Sequence, residues 1–104
     1  PWDIAKGFNG SAPISEKFIL VRDFKDIRNI NFRLHVDGRQ VQQGNTANML
    51  FSFEYIIAYL STFFTLRTGD LIFTGTPQGV GPVAIGNVLS AFIEDEKLLE
   101  FEIR

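Results

Sequence analysis

Hydrophobic and polar residues alternate strictly from residue 30 to residue 37, which predicts a half-buried β-strand. One face carries Ile30, Phe32, Leu34 and Val36, and the other carries Asn31, Arg33, His35 and Asp37. His35 is the only histidine of the chain. Its place on the polar face predicts a surface residue rather than a metal ligand.

The dipeptide Asp37-Gly38 follows this strand directly. It is typical of a two-residue hairpin turn, because such turns need positive φ at both central positions. Folding the chain back across the turn places His35 opposite Gln40 on the outer face. The same register places Leu34 opposite Val41 on the core face.

Apolar positions recur at spacings of three and four after Ser52, which predicts an amphipathic helix over about residues 52–64. Ser52 is suited to cap its N-terminus, and Glu54 lies in the first turn, where the helix dipole favours a carboxylate. The predicted core stripe comprises Phe53, Ile56, Ile57, Leu60, Phe63 and Phe64. The opposite face is aromatic rather than charged, which indicates a further buried or subunit-facing surface; it carries Tyr55, Ala58, Tyr59 and Thr62.

Short apolar runs predict the remaining strands at residues 4–8, 18–21, 71–74, 88–94 and 98–103. The last two are expected to be joined by a turn at Asp95-Glu96, residues 67–70 to form another turn, and residues 22–28 to be a charged surface connection. The predicted fold class is therefore mixed and mainly β, with one amphipathic helix.

Length and composition limit the function classes. The 104 residues suffice for one domain, and 45% hydrophobic with 21% charged residues is ordinary for a globular chain. The net charge of −2 disfavours nucleic-acid and anionic-membrane partners, and no apolar run approaches the roughly 20 residues of a membrane span. The chain has no cysteine, which excludes disulfides, thiolate metal sites and a cysteine nucleophile and fits a cytoplasmic location. Because it opens with Pro1-Trp2, we expect a piece of a longer protein.

Two features could carry chemistry. The loop at residues 74–82 contains three glycines and two prolines, and glycine allows main-chain N–H groups to approach an anion while a threonine hydroxyl donates to it. Lys6 lies among apolar residues and could stabilise an enolate or oxyanion. The alternatives are an ordinary connection between strands and a solvated lysine with its stem on apolar surface. The residues alone name no reaction.

Four stretches together resemble the fumarylacetoacetate hydrolase family: PWDIAKGFNGSAPIS (1–15), VDGRQVQQGNTANMLFS (36–52), LRTGDLIFTGTPQGVGPV (66–83) and IEDEKLLEFEIR (93–104). The combination of TGDLIFTGTP and GVG with the upstream QQGNTANM is specific. The resemblance covers essentially the whole chain, residues 1–104, as the C-terminal portion of the catalytic domain. The uninterrupted GVGPV is most similar to the acylpyruvase and fumarylpyruvate hydrolase branch.

The resemblance implies a β-sandwich roll, a homodimer and a Mg²⁺-dependent (or Mn²⁺- or Ca²⁺-dependent) reaction. That reaction would be hydrolysis of a carbon–carbon bond in a β-diketo acid, such as an acylpyruvate or fumarylpyruvate, through a metal-bound enolate. Lys6 matches the family's lysine in the metal shell, and Thr76 matches a threonine that binds substrate, with the main chain of Gly75 beside it. Gln42 and Asn45 match family positions that we interpret as structural.

Some of the family's functional groups are not matched in this chain. The metal-binding carboxylates of the family precede the stretch that begins at Pro1, so this chain is expected to hold no metal ligand of its own. Gly10 stands where the family often has threonine or serine. We therefore expect the parent protein to be active and the isolated 104-residue chain to be inactive.

Two alternatives remain. The parent protein could be an oxaloacetate decarboxylase or an enol–keto isomerase of the same family, because both reactions also pass through a metal-bound enolate. The chain could instead be a non-catalytic β-rich module for binding or dimerisation. The expected partner is a small keto acid, with no nucleic acid and no membrane, in the cytoplasm or, in a eukaryote, the mitochondrion.

Overall fold

The computed structural model describes residues 10–104. Within them lie four strands and one α-helix: β1 (Asn31–Val36), β2 (Arg39–Asn45), α1 (Phe53–Ser61), β3 (Val88–Ile93) and β4 (Glu96–Glu102). Short 3₁₀ turns occupy Val21–Asp23 and Thr46–Asn48. The mixed, mainly β class is confirmed, and the strand predicted at residues 4–8 lies outside the described residues.

The four strands form one antiparallel sheet in the order β2-β1-β3-β4. The alternation along β1 is confirmed, because Phe32, Leu34 and Val36 pair with the apolar residues Ile93, Ala91 and Leu89 of β3 and paired residues share a face. Ile30, just before β1, is 7% exposed and is the one buried hydrophobic residue among residues 10–104.

The first hairpin has the predicted turn and a different register. Asp37 and Gly38 have φ of 50° and 80°, as a two-residue turn of this kind requires. His35 pairs with Gln40 as predicted, but the predicted pairing of Leu34 with Val41 is wrong, because Leu34 pairs with Gln42. The extra residue is a β-bulge at Val41, which the alternation of β1 alone could not reveal.

The second hairpin repeats this pattern. Its turn is centred on Glu94-Asp95, one residue earlier than predicted, and Glu94 takes a positive φ of 53°. Glu96 therefore belongs to β4 and pairs with Ile93. The register then shifts between Ala91 and Phe92, as it does between Leu34 and His35 in the first hairpin.

Helix α1 begins where the sequence predicts and ends three residues earlier. The hydroxyl of Ser52 accepts a hydrogen bond from the main-chain N–H of Tyr55 at 3.1 Å, which confirms the N-cap. At the other end, the Thr62 hydroxyl donates to the carbonyl of Tyr59 at 2.7 Å. The helix ends there because Thr62 and the aromatic pair Phe63-Phe64 have low helix propensity.

A row of aromatic rings runs along the outward side of the helix and its flanks, with the first two pairs stacked and the third edge-to-face. Ring centroids lie 4.9 Å apart between Phe51 and Tyr55, 6.3 Å between Tyr55 and Tyr59, and 5.3 Å between Tyr59 and Phe63. All four side chains are more than half exposed. The assignment of Phe63 to the core stripe is therefore wrong, as is that of Phe64, which is 64% exposed; both follow the end of the helix at Ser61. The aromatic character predicted for this face is therefore present, but the face is exposed within the described part of the chain.

Two predicted strands are wrong. Residues 18–20 are irregular and lead into the 3₁₀ turn, and residues 71–74 form no ladder with any strand in the described range. Phe18 is 64% exposed and Phe73 is 72% exposed, so neither run is buried. An apolar run becomes a strand only where another strand pairs with its main chain.

Two further local predictions are confirmed. The connection at residues 22–28 is mostly exposed. The turn at residues 67–70 is closed by a hydrogen bond of 3.0 Å from the N–H of Asp70 to the carbonyl of Arg67. None of the helices described in residues 10–104 has the length and apolar character needed to cross a membrane.

Candidate functional site

The glycine- and proline-rich loop at residues 74–82 is joined to strand β2 by a side chain. The amide Nε2 of Gln42 donates to the hydroxyl oxygen of Thr76 at 2.8 Å and to the carbonyl oxygen of Pro77 at 2.9 Å. These contacts link residues 34 and 35 positions apart in sequence. Gln42 is therefore the side chain that fixes the position of Thr76 on the sheet.

The β-bulge at Val41 makes this contact possible. In the predicted register, Val41 would share the face of Leu34 and Gln42 would lie on the opposite face. Because of the bulge, Gln42 is the residue that pairs with Leu34 and shares its face. The side chain of Gln42 makes its hydrogen bonds to Thr76 and Pro77 from that face, so a shift of one residue in register decides whether Gln42 can reach Thr76.

Gly79 brings the loop into close contact with the same bulge. Its φ is +104°, and a β-carbon there would overlap the carbonyl oxygen of Val41 and lie 3.0 Å from Cγ of Gln42. No other residue type fits this space without moving the main chain. Gly75 differs, since a β-carbon would meet open space there and its φ of +106° is the constraint.

Thr76 and Gly75 are both exposed, and the described part of the chain offers the Thr76 hydroxyl no hydrogen-bond partner besides Gln42. The loop has no charged side chain. The loop itself can therefore offer an anion only neutral donors, namely the threonine hydroxyl and main-chain N–H groups.

A shallow apolar depression of about 210 Å³ lies between helix α1 and the segment that enters the loop. It is lined by Phe53, Ile56, Ile57, Ile72 and Thr74. Three members of the predicted core stripe thus face this depression. The stripe places the helix beside the entrance of the loop.

Asn45 has structural contacts, as expected. Its amide nitrogen donates to the side-chain oxygens of Asn29 and Asn31, both at 2.9 Å, and its amide oxygen accepts from the N–H of Ala47 at 2.8 Å. These bonds fix the end of β2 against the start of β1. None of them reaches the loop that holds Thr76.

Lys6 lies outside the described residues, so the structure defines no distance between Lys6 and Thr76. His35 lies on the polar face of β1, with its ring centroid 4.9 Å from that of Phe92. Within residues 10–104 there is no group of three or more His, Cys, Asp or Glu residues that could hold a metal ion. The described residues therefore do not by themselves fit a divalent cation.

The role of Gln42 as an anchor of the loop was missed at the sequence level. The motif QQGNTANM drew attention to Gln42, but the alternation of β1 predicts a regular hairpin without a bulge. The signal that could have found it is Gly79, because a glycine within a substrate loop often marks close approach of another main chain.

Comparison with known proteins places this chain in a family. A model of the family described as "Fumarylacetoacetate (FAA) hydrolase C-terminal" matches residues 1–104. An Escherichia coli (strain K12) protein named oxaloacetate tautomerase YcgM is 44% identical over 99 residues, covering 94% of this chain and 45% of that protein. A Dictyostelium discoideum protein named mitochondrial oxaloacetate decarboxylase is 45% identical over 93 residues, covering 89% and 42%. The chain spans less than half the length of these relatives.

Solved structures give the same result for the fold. A fumarylacetoacetate hydrolase family protein from Yersinia pestis CO92 has a TM-score of 0.91 and 43% identity, covering 100% of this chain and 47% of that chain. A maleylpyruvate hydrolase from Sphingobium sp. SYK-6, in complex with manganese(II) and pyruvate, has a TM-score of 0.76 and 29% identity, covering 82% and 32%. The match over all 104 residues and the agreement in fold lead to one conclusion. This chain belongs to the fumarylacetoacetate hydrolase family.

Proposed function

We propose that the intact protein containing this chain acts on oxaloacetate, or on a closely related 2-oxo dicarboxylic acid, as an enol–keto tautomerase or a decarboxylase. The observation that carries this proposal is 44% and 45% identity to proteins named for these two activities. The sequence alone leaves tautomerisation and decarboxylation as alternatives to hydrolysis of an acylpyruvate. The similarity favours them over the acylpyruvate hydrolysis that the GVGPV motif first indicated.

Both reactions pass through an enolate of the 2-oxo acid. Tautomerisation moves a proton between C3 and the enol oxygen, and decarboxylation breaks the bond from C3 to the carboxyl carbon and leaves the electron pair in the enolate. Each therefore needs donors that hold a carboxylate while negative charge develops on the neighbouring oxygen. In the proposal, the Thr76 hydroxyl donates to the substrate carboxylate, the main chain of Gly75 lies beside it, and Lys6 stabilises the enolate charge.

The proposal includes a divalent cation, Mg²⁺ or Mn²⁺, held by carboxylates outside residues 10–104. The complex of the maleylpyruvate hydrolase with manganese(II) and pyruvate supports a divalent metal and a keto-acid ligand in this family. When bound, such a cation acts as a Lewis acid toward the oxygens of the keto acid. The residues described here contribute the neutral donors around the carboxylate.

Hydrolysis of a carbon–carbon bond in an acylpyruvate or fumarylpyruvate is the second candidate. It is favoured by the similarity to the maleylpyruvate hydrolase. The two candidates differ in product. A tautomerase converts the enol and keto forms of oxaloacetate without a change in mass, whereas the hydrolase releases pyruvate and a second acid from an acylpyruvate.

The decisive experiment is to assay the purified intact protein with Mg²⁺ on enol-oxaloacetate, keto-oxaloacetate and acetylpyruvate. We expect faster enol–keto conversion or release of CO₂ from oxaloacetate, with weaker cleavage of acetylpyruvate. Thr76→Val should raise KM for oxaloacetate about tenfold or more, since a lost hydrogen bond to a charged group is worth about 1.5–3 kcal/mol. Thr65→Val, an exposed threonine beyond α1, is the matched control and should match the wild type.

Preferential cleavage of acetylpyruvate would favour the second candidate. No turnover of any of these acids, together with metal-independent binding of oxalate, would favour the non-catalytic module. The homodimer that the resemblance implies and the cytoplasmic location that the absence of cysteine fits also stay predictions. Sedimentation of the intact protein tests the dimer.

A further inference from the structure

The hydrogen bond between Gln42 and Thr76 has a defined direction. The amide nitrogen of Gln42 lies 2.9 Å from the carbonyl oxygen of Pro77, and a carbonyl oxygen can only accept. This contact identifies the atom as Nε2 rather than Oε1, because an amide oxygen would meet the carbonyl as acceptor against acceptor. The same nitrogen lies 2.8 Å from the Thr76 hydroxyl oxygen. One N–H is therefore directed at each oxygen.

The hydrogen bond from Gln42 decides where the hydroxyl hydrogen of Thr76 points. A hydroxyl has one hydrogen to donate and lone pairs that accept. Because Gln42 donates to the oxygen, the hydroxyl hydrogen of Thr76 is directed away from Gln42. Within residues 10–104 it has no acceptor, so it is available for an acceptor that enters from solvent.

We propose that Gln42 is a positioning residue that sets the polarity of Thr76, keeping its hydroxyl as a hydrogen-bond donor for the substrate carboxylate. This inference rests on the proposed function of Thr76 as a substrate-binding residue. Gln42 acts through Thr76 and does not itself contact the substrate. Its half-buried position on the face of Leu34, set by the bulge at Val41, places its amide against Thr76 without any bound substrate.

The substitution Gln42→Glu reverses the polarity with little change in size. A glutamate carboxylate only accepts, so it loses the hydrogen bond to the Pro77 carbonyl and is repelled by it. The Thr76 hydroxyl would then donate to Glu and no longer to substrate. We expect the Kd of oxalate in the presence of Mg²⁺, and the KM for oxaloacetate, to rise about tenfold or more with a smaller change in kcat. The matched control is Gln43→Glu, which adds the same charge at the next, exposed residue of β2.

Two further measurements separate this role from a general structural one. A protonated glutamate regains an O–H donor, so the ratio of the Kd of Gln42→Glu to that of the wild type should fall as the pH approaches the ordinary glutamate pKa of about 4.3. The second measurement uses Gln42→Met, which removes the donor without adding charge. It should weaken oxalate binding in the wild-type background and have little effect in the Thr76→Val background, where there is no hydroxyl to orient.

The outcomes distinguish this inference from the proposed function. If Thr76→Val leaves both oxalate binding and oxaloacetate turnover unchanged, Thr76 is not a substrate ligand and the proposed role of Thr76 is wrong. If Thr76→Val weakens binding but Gln42→Glu does not, the role of Thr76 survives and the inference about Gln42 is overturned. If Gln42→Met and Thr76→Val have independent effects, Gln42 does not act through Thr76, and the inference is likewise overturned.

Discussion

The α-carbon of Gly79 lies so close to the main chain of Val41 that a β-carbon at residue 79 would overlap the Val41 carbonyl oxygen. A main-chain oxygen in a paired strand cannot swing aside as a side chain can. The φ of +104° at Gly79 adds a second constraint, because L-residues rarely adopt it. Gly79 and the bulge at Val41 therefore fix how the loop of residues 74–82 lies on β2.

The substitution Gly79→Ala is expected to lower the free energy of unfolding of the intact protein by about 1–3 kcal/mol or more, through backbone strain and overlap. It should also raise KM for oxaloacetate, since the loop would move away from Gln42. Denaturant unfolding and steady-state kinetics measure the two effects. Gly81→Ala is the control, because a β-carbon there meets nothing within 4 Å, and it should change stability by no more than about 0.5 kcal/mol.

Gly44 is a second glycine at which an added β-carbon would make a close contact, here with a side chain rather than with main chain, so the expected loss of stability is smaller than at Gly79. A β-carbon at Gly44 would lie 2.7 Å from Cζ of Phe32, its partner across β1 and β2. This neighbour is the tip of a half-buried ring, which can tilt, so Gly44→Ala should cost about 1 kcal/mol and less than Gly79→Ala. The double variant Gly44→Ala/Phe32→Leu should be more stable than the sum of the single effects predicts, by about 0.5 kcal/mol or more. Additive single effects would show that the ring does not resist the added methyl group.

The sequence predicted local features well where the signal lies within a few residues. The turn at Asp37-Gly38 follows from the need for positive φ, and the cap at Ser52 follows from the hydroxyl that accepts from the first turn. These are decided by two to four neighbouring residues. The same holds for the alternating face of β1.

The sequence could not predict features that depend on distant partners. The bulge at Val41 involves the pairing of β2 with β1 and lies against the loop at residues 74–82, which local sequence does not reveal, so the predicted partner of Leu34 is wrong by one residue. Residues 71–74 have the composition of a buried strand, yet Phe73 is 72% exposed and pairs with no strand within residues 10–104. Thr76 was identified as a candidate from the motif, but its anchor is 34 residues away in sequence.

The N-cap of α1 offers a test of local stability. Ser52→Ala removes the acceptor for the N–H of Tyr55 and should lower the free energy of unfolding by about 1 kcal/mol. Ser61→Ala is the matched control at the other end of the same helix, where the hydroxyl only donates to the carbonyl of Ile57. Within the helix, that carbonyl also accepts the main-chain hydrogen bond from four residues later, so losing the hydroxyl leaves it with a partner. The control should therefore change the free energy of unfolding very little. Equal losses for the two variants would contradict the role of Ser52 as a cap.

The second hairpin allows a prediction about pH. The bulge in β4 brings Lys97 and Glu100 to the same face, with Nζ 3.0 Å from Oε2, and the hydroxyl of Ser90 lies 3.2 Å from Oε1. The hydrogen bond and the charge of Lys97, and then the hydrogen bond from Ser90, hold the pKa of Glu100 below its usual value. The pKa of Glu100 is lower in the folded protein than in the unfolded chain. The ion pair therefore stabilises the protein at pH values above the pKa that Glu100 has in the unfolded chain. That contribution is lost as the pH falls through the folded pKa.

Lys97→Gln should therefore raise the pKa of Glu100 toward its ordinary value, as followed by carboxyl carbon chemical shifts during an acid titration. Any loss of stability in this variant should be present at neutral pH and vanish in acid, and it should shrink at high salt because the pair is exposed to solvent. Lys25→Gln removes the same charge from the exposed connection at residues 22–28 and should leave the pKa of Glu100 unchanged. An equal shift in both variants would mean that net charge, rather than the contact set by the bulge, governs the pKa of Glu100.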